Sequence, residues 1–353
     1  MRRRDSILIS SSERARGDLG AATGRRGGVD RREFLLAAAA PLVLGVMPAA
    51  AARLGGTPLA LVTADLESHV VVVDIGTGRV LRRLQTPADP RSIESVGVVA
   101  ALVAHTGAGR MTLIDSELRV HPVAGSFIEP RYTAVSAERG LAYVTDSGRR
   151  ELAVVDIHRR RVIDRVPMAG PCRHLAIDRG GSRLWVALGN KTPALAVVSL
   201  AEPRRPRIVG RIRPPFLAHD VGVTPGGRRV WVTSGDRERL AIYNARTGRL
   251  VRTLAADAPP QHVTFLGDRA FVTSGDDATL RVHALDGRLL RSAAVPLGSY
   301  NVQSSYDHPQ ARRWILTPSL AAGTLCTFGP RGTLLNELRV ARSSHDACSI
   351  VGT

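Results

Sequence analysis

The 353-residue chain is poor in cysteine, lysine and aromatic residues. Three cysteines are too few for a disulfide scaffold, so the fold must depend on apolar packing. Cys172, Cys326 and Cys348 fall in different parts of the chain, and we expect no disulfide between them. The 4% aromatic content leaves little material for stacking against nucleic-acid bases.

Motifs of several enzyme classes are also missing. The chain contains no H-E-x-x-H, C-x-x-C, G-x-S-x-G or G-x-x-x-x-G-K-[ST]. Zincin, thioredoxin, serine-hydrolase and P-loop chemistry are therefore excluded.

The formal net charge of +18 comes almost entirely from arginine, because Lys191 is the single lysine. Such a skew is typical of a GC-rich genome. Residues 1–53 hold ten Arg and five acidic residues, so a chain without them still carries +13. Its arginines are scattered through turns instead of forming a stripe, which makes nucleic acid a disfavoured partner.

Residues 1–53 are interpreted as an export signal. Arg31 and Arg32 stand just before Phe34, an apolar run extends over Leu35–Met47, and small residues follow at Ala49–Ala52. This arrangement resembles a twin-arginine signal and predicts a periplasmic or extracellular protein. The resemblance further implies export in the folded state, often with a cofactor already inserted. We expect no membrane-spanning segment in the mature chain.

Residues 54–353 repeat one pattern seven times: an apolar run, a turn and a second apolar run. The copies recur about every 40–45 residues, which is the period of a four-stranded propeller blade. Runs such as Val70–Val73 do not alternate with polar residues, as is typical of a strand buried on both faces. We predict a single all-β domain, a seven-bladed β-propeller with four antiparallel strands per blade. Equivalent positions in the copies are Asp74, Asp115, Asp156, Ser199, Asn244, Ala284 and Gly329.

The two ends of this domain are complementary. The first copy, Pro58–Gln85, has only three strands, and an unpaired strand is left over at His345–Val351. We therefore predict that the C-terminal strand joins the N-terminal blade and closes the ring, which leaves no free sheet edge at the seam.

The second strand of several copies ends in a Val-Thr or Leu-Thr pair. This pattern resembles the YVTN-type seven-bladed propeller repeat of exported bacterial and archaeal proteins, a group that includes lactonase-like and quinoprotein-dehydrogenase-like propellers. The resemblance implies the fold, but the architecture hosts hydrolases, dehydrogenase subunits, haem proteins and binding modules. No Trp-Asp dipeptide supports a WD40 assignment. The matching segments are Leu61–Thr63, Tyr143–Asp146, Trp231–Thr233, Phe271–Thr273 and Ile315–Thr317.

Histidine is concentrated at one position of the repeat, the start of the innermost strand. Innermost strands line the channel of a propeller, so these side chains can converge from separate blades. The first hypothesis is a copper or zinc site formed by neutral imidazoles, with Asp220, Asp346 and Cys172 as accessory groups. The alternative is that these histidines bond only to backbone groups and trapped water. The seven positions are Ser92, Tyr132, His174, His219, His262, Asn301 and His345. The candidate ligands are the four histidines among them, His174, His219, His262 and His345.

A second hypothesis is a lactonase-type hydrolase. The segment Gly170–His174 is similar to the G-P-R-H that opens inner strands in that family, with Cys172 inserted here. The resemblance implies His174 as base, Glu94 as its carboxylate partner, and an acidic sugar lactone or similar substrate bound by arginine. The candidate arginines are Arg91, Arg131 and Arg173.

The sequence thus favours an exported, monomeric binding or accessory protein that holds a small molecule or metal at its channel mouth. A hydrolase and a scaffold for a protein or nucleic-acid partner on the top face remain as alternatives.

Overall fold

The computed structural model describes residues 56–256, 258–305 and 313–352. The predicted signal at residues 1–53 lies outside the described residues. None of the described helices is long and apolar enough to cross a membrane. The strands are β1 (Pro58–Ala64), β2 (His69–Asp74), β3 (Arg79–Gln85), β4 (Pro90–Val96), β5 (Ala100–His105), β6 (Arg110–Ile114), β7 (Val120–Pro122), β8 (Pro130–Ser136), β9 (Leu141–Asp146), β10 (Glu151–Asp156), β11 (Arg161–Pro167), β12 (Leu175–Ile177), β13 (Arg183–Ala187), β14 (Leu195–Ser199), β15 (Arg207–Ile212), β16 (Val221–Val223), β17 (Arg229–Thr233), β18 (Arg239–Asn244), β19 (Leu250–Ala255), β20 (Val263–Leu266), β21 (Arg269–Ser274), β22 (Thr279–Ala284), β23 (Leu289–Ala294), β24 (Gln303–Ser304), β25 (Ile315–Pro318), β26 (Thr324–Phe328), β27 (Leu334–Arg339) and β28 (Ala347–Val351). Three short 3₁₀ helices span Asp65–Glu67, Ala137–Arg139 and Gly275–Asp277.

The strands form seven antiparallel sheets of four, and each sheet is one blade of a ring. Blade 1 has the order β28-β1-β2-β3, and blades 2 to 7 each consist of four consecutive strands from β4–β7 to β24–β27. The prediction of an all-β, seven-bladed propeller is confirmed.

The C-terminal strand completes blade 1, as the sequence predicts. β28 pairs antiparallel with β1 from Pro58↔Val351 to Val62↔Ala347. Beyond the last ladder pair, the Thr63 N–H donates to the carbonyl of Asp346 at 2.9 Å. The seam of the ring is therefore a continuous sheet with no unpaired edge.

Burial falls from the middle of each blade toward its rim. The third strands are apolar on both faces and buried, as in β2 and β10, whereas outer strands such as β3 are mostly exposed. The core clusters lie between neighbouring blades: Leu61 and Val70 of blade 1 pack with Ile93 and Val103 of blade 2. Since apolar burial contributes about 25 cal/mol per Å², a single blade with both faces exposed would lose this stabilisation.

Tight turns join the first and second strands of the blades. Gly140, Gly181 and Gly227 stand at the ends of three such turns with φ of +62°, +59° and +65°. These angles lie in the left-handed region, where a Cβ is disfavoured. Glycine at this point of the repeat allows the strand to reverse.

The threonines that end the second strands bind the starts of the innermost strands. Thr145 Oγ1 donates to the carbonyl of Arg173 at 2.6 Å, and Thr233 Oγ1 donates to that of Gln261 at 2.6 Å. Both acceptors belong to the next blade along the ring, and both threonines are fully buried. Thr273 makes the same inter-blade contact to Tyr300. The repeat motif therefore fixes the backbone directly before His174 and His262.

We expect deletion of residues 345–353 to destabilise the whole ring, because it removes β28 and exposes the backbone of β1. The melting temperature, followed by circular dichroism, should fall by about 10 °C or more.

Deletion of residues 352–353 alone is the matched control, since it leaves β28 complete, and its melting temperature should stay near that of the full chain. A melting temperature unchanged by the longer deletion would contradict the closure.

Candidate metal centre

Three of the four candidate histidines come together at the face of the ring where the innermost strands begin. One ligand nitrogen from each of His174, His219 and His262 lies within 4.8 Å of the others. The imidazole centroids are 4.5 Å apart for His174 and His219, and 4.7 Å for His174 and His262. Blades 4, 5 and 6 each contribute one ring, so the cluster depends on the closed architecture. We call it the His cluster.

A hydrogen bond assigns the free nitrogen on one of these rings. His219 Nδ1 lies 2.8 Å from the backbone oxygen of Asn190, and because a carbonyl oxygen only accepts, Nδ1 carries the proton and Nε2 presents a lone pair. His262 Nδ1 faces Asp220 Oδ2 at the longer distance of 3.5 Å. This is the second contact that metal-ligating histidines usually make, to a carbonyl or a carboxylate.

His174 is the unusual member of the cluster. Its side chain is 1% exposed, and neither ring nitrogen has a hydrogen-bond partner among the described residues. Tyr132 covers one side of the ring, with centroids 4.2 Å apart. Two unpaired nitrogens in a buried imidazole are costly, since each lost partner in the interior costs about 1–3 kcal/mol. A ligand at this point would remove part of that cost.

The surroundings keep the imidazoles of His174 and His219 neutral. Burial, followed by the neighbouring rings of His219 and His262, lowers the pKa of His174 well below its usual value. Burial and His262 lower the pKa of His219 to about 3. A neutral imidazole is the form that binds a metal, so these two ligands need lose no proton at neutral pH.

The cluster can accommodate a transition metal after a small closure. Imidazole nitrogens bind zinc or copper at about 2.0–2.1 Å, which places tetrahedral ligand atoms about 3.4 Å apart. The present limit of 4.8 Å therefore requires ring movements of about 1 Å. Three imidazole nitrogens and an adjacent carboxylate suit borderline metals better than Mg²⁺ or Ca²⁺, which prefer oxygen.

The backbone shows that the repeat positions of the histidines differ by one residue. The carbonyls of His174 and His262 accept from the second strands of their blades, and in blade 5 the corresponding carbonyl belongs to Asp220. His219 therefore stands one residue before the position that the sequence assigned to it. Asp346 likewise takes the place predicted for His345.

The two shifted histidines nevertheless lie in different places. His219 reaches the cluster from the segment before β16, where its side chain is bonded to Asn190. His345 stays outside the cluster, with its Nδ1 3.2 Å from Asn301 Nδ2. A shift of one residue therefore does not by itself decide whether a histidine joins the cluster.

The accessory groups are also divided. Asp220 supports the cluster through His262, and its Oδ2 also accepts from Val263 N–H at 3.0 Å. Asp346 Oδ2 instead accepts from Ile93 N–H at 3.1 Å and joins blades 1 and 2. Cys172 points into blade 3, where Sγ donates to the carbonyl of Glu151 at 3.0 Å. All three cysteines are buried and unpaired with one another, which confirms the absence of a disulfide.

A channel extends from the His cluster toward the opposite face. A cavity of about 270 Å³ is lined by His174, His262 and Glu94, and a second of about 480 Å³ opens beyond it. Both cavities are lined by Glu94 and Gln303, so they adjoin each other. Gln303 Nε2 donates to Glu94 Oε2 at 3.1 Å, and burial raises the pKa of Glu94 to about 7. A carboxyl group that exchanges its proton near neutral pH therefore lies in the same cavity as His174.

The candidate arginines occupy a different place. Arg91, Arg131 and Arg173 line a narrow crevice beside Tyr132 and His345, and none of the three lines the channel cavity. The lactonase hypothesis places His174, Glu94 and the arginines around one substrate. The structure puts the first two in one cavity and the arginines in the adjoining crevice.

Two contributors to the cluster were missed by sequence reasoning. Asn190 acts through its backbone carbonyl, which any residue could supply, so the sequence carries no signal for it. Tyr132 was aligned with the histidines but given no role. Tyr132 lies in the blade that precedes the blade of His174. This position could have indicated an aromatic ring that covers the imidazole of His174.

The family model described as "Outer membrane protein assembly factor BamB" matches residues 174–345, just under half of the chain. A search of curated protein sequences gives no significant match.

Solved structures share the propeller fold at low identity. A functionally unknown protein from Desulfotomaculum acetoxidans is 11% identical with a TM-score of 0.70, and apo AztD from Citrobacter koseri is 10% identical with a TM-score of 0.63. A putative 6-phosphogluconolactonase from Bacteroides fragilis is 11% identical with a TM-score of 0.65. Each alignment covers 84% of this chain and 99% of the other. At these identities the similarity establishes the fold alone.

We expect the variant Glu94→Gln to stabilise the protein at pH 8 and to have a much smaller effect, below about 1 kcal/mol, at pH 5. The folded carboxyl has a pKa of about 7 against an ordinary value of 4.5, so the folded state holds the proton more tightly. Stability is therefore lost as pH rises between these values, and the amide removes this loss. The gain at pH 8 should be about 3 kcal/mol in urea unfolding, because one pKa unit corresponds to about 1.4 kcal/mol.

Glu138→Gln at the outer cavity is the matched control, because it removes the same charge at an exposed turn. A gain for Glu94→Gln that is equal at both pH values would contradict the raised pKa.

Proposed function

We propose that this protein is an exported propeller that binds a transition metal, copper or zinc, at the mouth of its central channel. His174, His219 and His262 are the ligands. The proposed function is that of a metal-binding or accessory protein. The observation that carries the proposal is the convergence of three imidazoles from three separate blades.

The electrostatics and the rigidity of the ring support this proposal. His219 uses Nδ1 for the carbonyl of Asn190, which orients its Nε2, and His262 Nδ1 faces the carboxylate of Asp220. The third has no internal partner for either nitrogen. The inter-blade bonds of Thr145 and Thr233 hold the backbone before His174 and His262, so little ordering entropy is lost on binding. The signal at residues 1–53 supports export, where a folded domain with its metal inserted would be carried across the membrane.

A lactone hydrolase is the second candidate. It is favoured by Glu94, whose pKa of about 7 and position in the cavity of His174 suit a general acid or base. Against it stands the location of Arg131 and Arg173, which line the crevice and not this cavity. A single substrate would have to reach both places.

The test is the metal content of the protein purified from its native export route. We expect about one copper or zinc ion per chain in the wild type, and loss of most of it in the double variant His219→Ala/His262→Ala, because one imidazole alone binds weakly. The surface double variant His121→Ala/His158→Ala is the control and should keep the metal.

Equal metal content in the wild type and the His219→Ala/His262→Ala variant would refute the metal site. Turnover of an acidic sugar lactone that His174→Ala abolishes would then favour the hydrolase.

A further inference from the structure

The two channel cavities meet at a neck, formed by the residues that line both of them. Blades 2 and 7 contribute polar side chains to this neck, whereas blades 4, 5 and 6, across the channel, contribute apolar ones. The neck is therefore polar on one side and apolar on the other. The polar residues are Glu94, Gln303 and Ser304, and the apolar residues include Ile177, Val223 and Phe265.

The neck borders space that a small organic molecule can enter. The cavities on its two sides measure about 270 Å³ and 480 Å³, whereas a single water needs only about 10–15 Å³. Glu94, Gln303 and Phe265 lie on innermost strands inside the ring and are nevertheless only half-buried. Their remaining surface faces the channel, so a molecule in the channel contacts them directly.

Glu94 is a carboxyl group without a positively charged partner. Its charge is stabilised by the Gln303 amide, which donates to Oε2 at 3.1 Å, and by the backbone of Ser95. In the described part of the chain, no arginine, lysine or histidine forms an ion pair with it. The smaller cavity is lined by two more carboxyl groups, Asp220 and Asp346, and no described arginine or lysine lines it. The channel is thus acidic inside an arginine-rich chain.

The missing positive charge affects the groups around the neck. Burial raises the pKa of Glu94 to about 7, although its two hydrogen bonds oppose this rise. After burial, the charge of Glu94 contributes to the raised pKa values of Asp346 and Cys348. A carboxyl group with such a pKa in a cavity is typical of a ligand-binding position. A cation beside Glu94 would offset its charge and stabilise its ionised form.

The composition of the neck favours an organic cation over a metal ion. Ca²⁺ and Mg²⁺ take six or more oxygen ligands, whereas the polar side of the neck consists of Glu94, Gln303 and Ser304. An ammonium group has three N–H donors, which suit a carboxylate, an amide oxygen and a hydroxyl. The apolar side, with Ile177 and Val223, would cover a hydrocarbon chain, and the ring of Phe265 suits a neighbouring cation.

We infer that the neck is a binding site for a small primary alkylammonium ion, whose nitrogen is held by Glu94 and whose carbon chain lies against Ile177, Val223 and Phe265. This site is formed by residues other than the three histidines of the His cluster. It does not depend on the proposed metal function, and it takes a ligand of positive charge.

The first arm of the test is calorimetric titration of the metal-free protein at pH 8 with n-butylammonium chloride. The uncharged n-butanol and the anion butyrate are controls of similar size. We expect n-butylammonium to bind at least about 10-fold more tightly than n-butanol, and butyrate not to bind. Methylammonium should bind more weakly than n-butylammonium by about 4-fold per methylene removed, because the apolar side then covers less hydrocarbon.

The second arm repeats the titrations with variants. Glu94→Gln should weaken n-butylammonium binding about 10-fold or more and leave n-butanol binding unchanged, because the amide keeps the shape and removes the charge. Glu138→Gln is the matched control, since Glu138 is an exposed carboxyl group that lines only the outer cavity, and it should bind like the wild type. Circular dichroism checks that each variant is folded.

Three results would overturn the site. The first is equal affinity for n-butylammonium and n-butanol, and the second is an equal loss of affinity in Glu94→Gln and Glu138→Gln. The third comes from titration with calcium chloride: calcium binding that Glu94→Gln abolishes, in a protein that does not bind n-butylammonium, would show that the neck takes a metal ion instead. None of these results bears on the metal content of the His cluster.

Discussion

Antiparallel pairing of β28 with β1 joins the last strand of the chain to its first and closes the ring of blades. Each blade is apolar on both faces, so it is stable only between two neighbours, and an open ring would leave two such faces in water. Closure also sets the circle of innermost strands, which brings residues from distant parts of the sequence to one channel mouth. The His cluster and the arginine crevice exist only because this circle is complete.

The repeat motif has a second role beyond the core. Buried threonines at the ends of the second strands donate hydrogen bonds to the backbone that begins the innermost strand of the next blade, as Thr145 does to Arg173. Each bond contributes about 1 kcal/mol net, but together they set the height at which side chains enter the channel mouth. The same residues that define the fold therefore position the candidate ligands. The residue that follows the threonine-bound carbonyl, such as His174 after Arg173, can therefore vary and change the side chains at the channel mouth without changing the structure of the blade.

The fold could be predicted from sequence because its signals are long and repeated. Seven copies of an apolar run predicted the seven blades, and the unpaired strand at the C-terminus predicted the pairing that closes the ring. The site was predictable only in part. His174, His219 and His262 were identified from their place at the start of innermost strands, but the backbone of blade 5 puts Asp220 where His219 was expected.

Where His and Asp are consecutive, either residue can occupy the first position of the innermost strand. The short loops before these strands contain no sequence pattern that decides which one does. The same shift puts Asp346 at the position expected for His345, where it binds the next blade, and the His345 side chain contacts Asn301 outside the cluster. The carbonyl of Asn190 carries no side-chain signal, and the raised pKa of Glu94 follows from burial that only the folded channel creates.

The central claim is that imidazoles from three blades bind one metal ion, and X-ray absorption spectroscopy of the zinc-loaded protein tests it most directly. We expect three imidazole nitrogens at about 2.0–2.1 Å around the ion, whereas a coordination sphere of oxygen atoms with fewer than two imidazoles would contradict the account.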